Sequence, residues 1–183
     1  MTDLQGALRP DADRVAVRFE RRYPATPAEV WAAVTEPERI GRWLAPIVLL
    51  EDGHYRIDFG NGQHTTGQVV SCDPPRVLVV TWDFPGEPTS RVSVEVRPDG
   101  DGDGHGHGHG HGAILVLDHT RLPQDQGAGY GAGWEAHLAG LEAQLASAAT
   151  PDWDERFTAL LPAYRRRPTC RADPGVTPEL TRG

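Results

Sequence analysis

The sequence contains no lysine: all 18 of its basic residues are arginine. That absence removes the phosphate-gripping lysine of Walker-type nucleotide sites, the lysine of kinase chemistry and any lysine Schiff base. Basic charge is also outweighed, because 26 Asp and Glu leave a formal net charge of -8. Nucleic-acid binding needs a basic face to neutralise phosphates, and the only basic run, Arg165-Arg166-Arg167, reads as a solvated helix end. No nucleic-acid partner is expected. No apolar stretch reaches the roughly 18 residues of a membrane span, and the opening MTDLQGALRPDADR lacks the basic-then-apolar layout of a signal peptide. The expected location is the cytoplasm. Cysteine is scarce too: Cys72 and Cys170 are the only two, so no disulfide framework is expected. Only four serines occur, and no G-x-S-x-G surrounds any of them.

Periodic patterning runs from about Arg14 to Tyr164, long enough to bury roughly 70% of the unfolded-state surface around one core, hence one domain. Residues 1–13 read as a loose polar leader and 165–183, rich in Pro, Thr and Arg, as a disordered tail. From Arg14 the chain alternates, with Val15, Val17 and Phe19 on one face, which predicts a half-buried strand. Thr26, Pro27 and Glu29 then form a capping-box signature ahead of Val30, Trp31 and Val34. That helix ends near Thr35, because Pro37 disfavours helical geometry at Glu36. A second short helix follows over 37–44. Further strands are predicted over 54–59, 64–72, 76–84, 89–97 and 113–121, making an antiparallel meander of six strands in all. A long helix closes the domain: Trp134, Leu138, Leu141 and Leu145 step by 4, 3 and 4 along one face. Residues 150–164 add a short amphipathic extension through Trp153, Phe157, Leu160 and Leu161. A sheet of this size curls under its own twist, and a helix laid into the curl leaves space between the two.

One segment stands apart. Residues 99–112 read DGDGDGHGHGHGHG, a Gly/His-rich insert in what is otherwise a tight hairpin. His105, His107, His109 and His111 could together wrap zinc, copper or nickel adventitiously. Ordering about ten flexible residues, at roughly 1 kcal/mol or more each, opposes that binding. No resident cofactor is expected.

The runs ATPAEVWAAVTEPERIGRWLAP, CDPPRVLVVTWDF, ILVLDHTRLP and GYGAGWEAHLAGLEAQL, in that order, resemble the START-like (SRPBCC) superfamily. Within it the chain is most similar to bacterial relatives of the C-terminal domain of the heat-shock-protein-90 ATPase activator. The resemblance covers residues 14–149, and FTALLPAYRRR resembles an extension carried by some bacterial members. It implies an α+β helix-grip fold, a curved antiparallel sheet wrapped around a long C-terminal helix with two short helices after the first strand. It also implies a cavity beneath that helix, while leaving the chemistry open.

If the long helix closes such a cavity, a small hydrophobic ligand (a lipid, polyketide or aromatic) should meet Trp134, Leu138, Leu141 and Leu145 on the helix. Opposite should lie Tyr55, Ile57 and Phe59, then Leu78, Val80 and Trp82, then Leu115, Leu117 and His119. Non-enzymatic binding is the leading reading. His119 is the candidate acid or base for an alternative of cyclase or dehydratase type, with His137 near the helix stripe and Asp83 and Asp118 as carboxylates that more simply face solvent. A protein-interaction role resembling the chaperone activator is the other alternative, favoured by a filled interior and an exposed apolar patch.

Overall fold

The computed structural model describes residues 4–60, 62–100 and 112–167. The Gly/His segment from His105 to His111, Cys170 and the tail beyond Arg167 lie outside the described residues.

Strand β1 spans Gly6–Asp11 and β2 Arg14–Tyr23; helices α1 (Pro27–Thr35) and α2 (Pro37–Trp43) follow. A meander then runs through β3 (Ile47–Leu49), β4 (His54–Gly60), β5 (Gln63–Asp73), β6 (Val77–Trp82), β7 (Ser90–Pro98) and β8 (Ala113–Leu122). Helices α3 (Gly127–Leu145) and α4 (Trp153–Arg166) follow. All strands belong to one antiparallel sheet in the order β1-β2-β8-β7-β6-β5-β4-β3. Register shifts in β2, β4 and β5 mark irregularities that bend the sheet. The fold is the curved-sheet, α+β helix grip.

The expected helix starts hold at atomic detail. Thr26 caps α1: its Oγ1 accepts from the Glu29 amide at 3.2 Å while Glu29 Oε2 accepts from the Thr26 amide at 2.8 Å. Asp152 caps α4 in the same sense, accepting from the Glu155 amide at 2.8 Å.

Two strands were not expected. Residues 1–13 read as a loose leader, yet Gly6–Asp11 form the sheet edge, with Leu8 opposite Val17. The segment lacks alternation and carries Pro10, which an edge strand tolerates because one side of its backbone needs no partner. Backbone pairing and close approach hold it instead: a Cβ on Gly6 would lie 2.2 Å from the Tyr164 hydroxyl and 2.4 Å from the Phe19 ring. The second, β3, is three residues long and pairs with Tyr55–Ile57 at the opposite edge, too short for periodicity to reveal.

The core lies on the inner face of the sheet. Val15, Val17 and Phe19 of β2, Val92, Val94 and Val96 of β7, and Leu115 and Leu117 of β8 are buried there with Leu138 and Leu141 of α3. Helix α4 joins the same core through Leu160 and Tyr164. It can approach α3 closely because Gly131 has no side chain; a Cβ there would sit 2.6 Å from the Tyr164 ring.

A candidate ligand cavity between α3, α4 and the sheet

Space remains where α3 turns a different face outward. Successive turns of the helix place Gly129, Tyr130, Gly133, Trp134, His137 and Gly140 along one wall of a cavity of about 700 Å³. Glycine is what opens it. A Cβ on Gly129 would meet nothing within 4 Å, and one on Gly133 would touch only the Trp153 ring at 3.8 Å. Phe59 of β4, Trp82 of β6 and Phe84 after it form the sheet side, the end of α2 from Gly41 to Ala45 forms one flank, and Trp153 and Phe157 of α4 form the outer wall. That volume falls within the usual range for small-molecule sites, roughly 300–1,000 Å³.

The cavity is aromatic. Four of the five tryptophans line it. Phe59 tilts against Trp82 at 6.1 Å between ring centroids, and Trp82 against Trp134 at 5.5 Å. Trp153 and Phe157, one turn apart on α4, stack at 4.8 Å and 11°. Such offset and tilted pairs satisfy the quadrupoles of the rings.

Behind this wall His119 is fully buried and fully committed. Trp134 Nε1–H donates to its Nδ1 at 2.9 Å, which leaves the proton on Nε2 to be donated to Ser90 Oγ at 2.8 Å; Ser90 in turn donates to the Trp82 carbonyl at 3.1 Å. The chain of donors fixes one neutral tautomer, orients the Trp134 indole and ties the network to the Trp82 backbone. Burial drives the His119 pKa down to about 3, so the ring stays neutral through the physiological range. No nitrogen is left for proton transfer. The carboxylates weighed as its partners are elsewhere: Asp118 pairs with Arg9 and Arg18, and Asp83 accepts from Thr89 Oγ1 at 2.5 Å.

His137 differs. It lines the cavity, donates Nδ1–H to the Trp43 carbonyl at 3.2 Å, and sits 5.3 Å from the Trp153 ring. Burial lowers its pKa to about 4, opposed by the bond to Trp43. Its Nε2 therefore carries a lone pair, and no described residue donates to it. Nearby, Tyr130 donates its hydroxyl to Glu87 Oε2 at 2.7 Å, with burial raising the phenol pKa above its ordinary value. Trp82 Nε1 is buried with no hydrogen-bond partner among the described residues.

Of the residues expected to meet a ligand, Phe59, Trp82 and Trp134 line the cavity. Tyr55, Ile57, Leu115, Leu117, His119, Leu138 and Leu141 are buried behind it, Val80 and Leu145 pack partly buried against the core, and Leu78 is half-buried on β6. The reason is the helix face. The leucine stripe is the most apolar side of α3 and is drawn into the core, while the cavity faces the neighbouring glycine-rich stripe, which hydrophobicity does not flag. Trp153 and Phe157 had a visible signal, an i, i+4 aromatic pair on a capped helix, but nothing local says what they cover. Among the described residues no group of three or more His, Cys, Asp or Glu could hold a metal ion, and no helix is long and apolar enough to cross a membrane.

Comparison with known proteins places this geometry. The family described as activator of Hsp90 ATPase homolog 1-like protein matches residues 24–146, which stops short of α4. CalU16 from Micromonospora echinospora superposes with a TM-score of 0.68 at 25% identity, over 87% of this chain and 93% of its own. A protein from Bordetella parapertussis does so at 0.65 and 28%, over 91% and 95%. DynU16, described as a protein in the dynemicin biosynthetic locus, gives 0.61 and 27% over 75% of this chain and 48% of its own. No curated protein matches the chain.

Proposed function

The chain belongs to the activator of Hsp90 ATPase homolog 1-like family, and from that premise we propose that it binds a small hydrophobic molecule in the α3–α4 cavity without transforming it. The observation that carries this reading is the cavity itself, held open by glycines on α3 and walled by aromatic rings. Similarity to DynU16, a protein placed in a biosynthetic locus, is in keeping with a small-molecule client. Binding is favoured over turnover of cyclase or dehydratase type because His119 has both nitrogens engaged and does not line the cavity. An interaction role of the activator kind would be favoured by a filled interior and an exposed apolar patch; the α3–α4 cavity speaks for ligand binding, while Val48, Leu49 and Leu50 are the exposed apolar residues that such a role would use.

Native mass spectra of the purified protein, gentle and denaturing, test the reading together with thermal shifts against fatty acids, flavonoids and polyketides. A co-purified molecule, or a stabilisation that saturates with concentration, is the expected result, since a ligand of the folded state alone raises its stability. Gly133→Leu should abolish the shift by filling the cavity. An empty protein that no apolar compound stabilises would sink the proposal and turn attention to the exposed Val48, Leu49 and Leu50 at and beside β3.

A further inference from the structure

The cavity wall discriminates between classes of apolar ligand. Among the described lining residues, apart from alanines and Pro151, Leu44 is the only aliphatic member, whereas four tryptophans and three phenylalanines line it. Flexible acyl chains gain nothing specific from ring faces, but a flat aromatic ligand matches their quadrupoles in offset or edge-on contact. The outer wall carries an aromatic stack: Trp153 and Phe157 lie within 11° of parallel at 4.8 Å. The charged groups on the wall are Arg42, Glu87 and Asp154, so carboxylates outnumber cations and an anionic head group is disfavoured.

His137 offers this wall an acceptor that no described residue pairs. His137 Nδ1–H is committed to the Trp43 carbonyl, and no described residue donates to Nε2. We propose that the cavity recognises a neutral, planar, fused-ring aromatic molecule bearing a hydroxyl, whose ring packs against the Trp153–Phe157 stack and whose hydroxyl donates to His137 Nε2. This rests on the reading that the cavity is a ligand site, and narrows it to a class. The low basicity that burial gives His137 keeps Nε2 an acceptor at neutral pH. A donor-bearing ligand satisfies an imidazole nitrogen that a plain hydrocarbon would desolvate and leave unpaired. Helix α4, which carries Trp153 and Phe157, lies beyond the family match at residues 24–146.

Isothermal titration of the full chain with four probes tests the class: hydroxypyrene, methoxypyrene, the saturated four-ring alcohol androstanol, and myristate. Hydroxypyrene should bind about tenfold more tightly than methoxypyrene, as expected for one hydrogen bond to an acceptor that the bound ring otherwise covers and leaves unpaired. In His137→Phe that ratio should fall to near unity, and in His137→Gln, whose side-chain carbonyl can accept, part of it should return. Androstanol and myristate should both bind more weakly than hydroxypyrene. Equal binding of hydroxypyrene and methoxypyrene by the unaltered protein, or a ratio that survives in both variants, overturns the hydroxyl readout. Androstanol or myristate binding as tightly as hydroxypyrene overturns the aromatic class and leaves the carrier reading standing. If none of the four binds, the carrier reading falls as well.

Discussion

Two glycines on α3, two residues apart, should respond differently to the same substitution. Gly133 is a helix-interior residue whose Cβ would find only the Trp153 ring at 3.8 Å, an ordinary contact. Gly133→Ala therefore removes backbone freedom from the unfolded chain without a clash and should stabilise by about 1 kcal/mol. In a chain of this size that is a rise in Tm of about 2–4 °C. Gly131 has the same helical environment, but its Cβ would lie 2.6 Å from the Tyr164 ring. Real side chains do not tolerate that distance, so the ring must move, and overpacking of this kind costs about 1–3 kcal/mol. Displacing the ring also strains the bonds of Tyr164 to Glu135 and to the Gly6 amide. Gly131→Ala should come out neutral to destabilised despite the same propensity gain, separated from Gly133→Ala by the overpacking cost of about 1–3 kcal/mol. Urea unfolding of both variants beside the unaltered protein measures the difference. Two variants shifted the same way and by the same amount would refute the claim that Gly131 is a docking surface and Gly133 an opening.

Acid should destabilise the protein through His119: its folded pKa of about 3 lies below the ordinary 6.5, so the unfolded chain takes up a proton that the folded chain refuses. Stability is unaffected by this group above about pH 6.5 and falls as pH drops toward 3. At pH 5 the loss is about 2 kcal/mol, and urea midpoints at pH 7 and 5 should fall less for His119→Asn than for the unaltered protein. Tyr164→Phe leaves the Gly6 amide and Glu135 without their shared hydroxyl; a loss of about 1–3 kcal/mol, with faster hydrogen exchange in α4 and β1, is expected. Trp153 is 36% exposed, so Trp153→Ala should lower Tm less than truncation of a fully buried ring while weakening binding of the aromatic probes by calorimetry. Thr26→Ala, which removes the α1 cap, should cost about 1 kcal/mol in chemical unfolding.

Much of this architecture is written locally. Alternation in 14–20, 54–59, 89–97 and 113–121, the Thr26–Glu29 capping box and the 4-3-4 leucine stripe of α3 each depend on residues within a few positions of one another. Backbone periodicity and side-chain capping act over that range, so strands, helix starts and family could be read from the chain alone. Other features were decided only by residues distant in sequence. Gly6–Asp11 is a strand because Arg14–Tyr23 offers it an edge, although its own pattern is poor. Trp153 and Phe157 are cavity wall because Tyr164, on the same helix, is anchored to Glu135 and Gly6. His119 is a committed structural group because Trp134 and Ser90 reach it from α3 and β7, while no described residue pairs with His137 Nε2. The sequence by itself determined which face of each element is apolar. Which apolar face would fill the core, and which glycine-lined face would be left open, depended on how the helices pack, because core filling is a competition among all faces at once and no single segment carries its outcome.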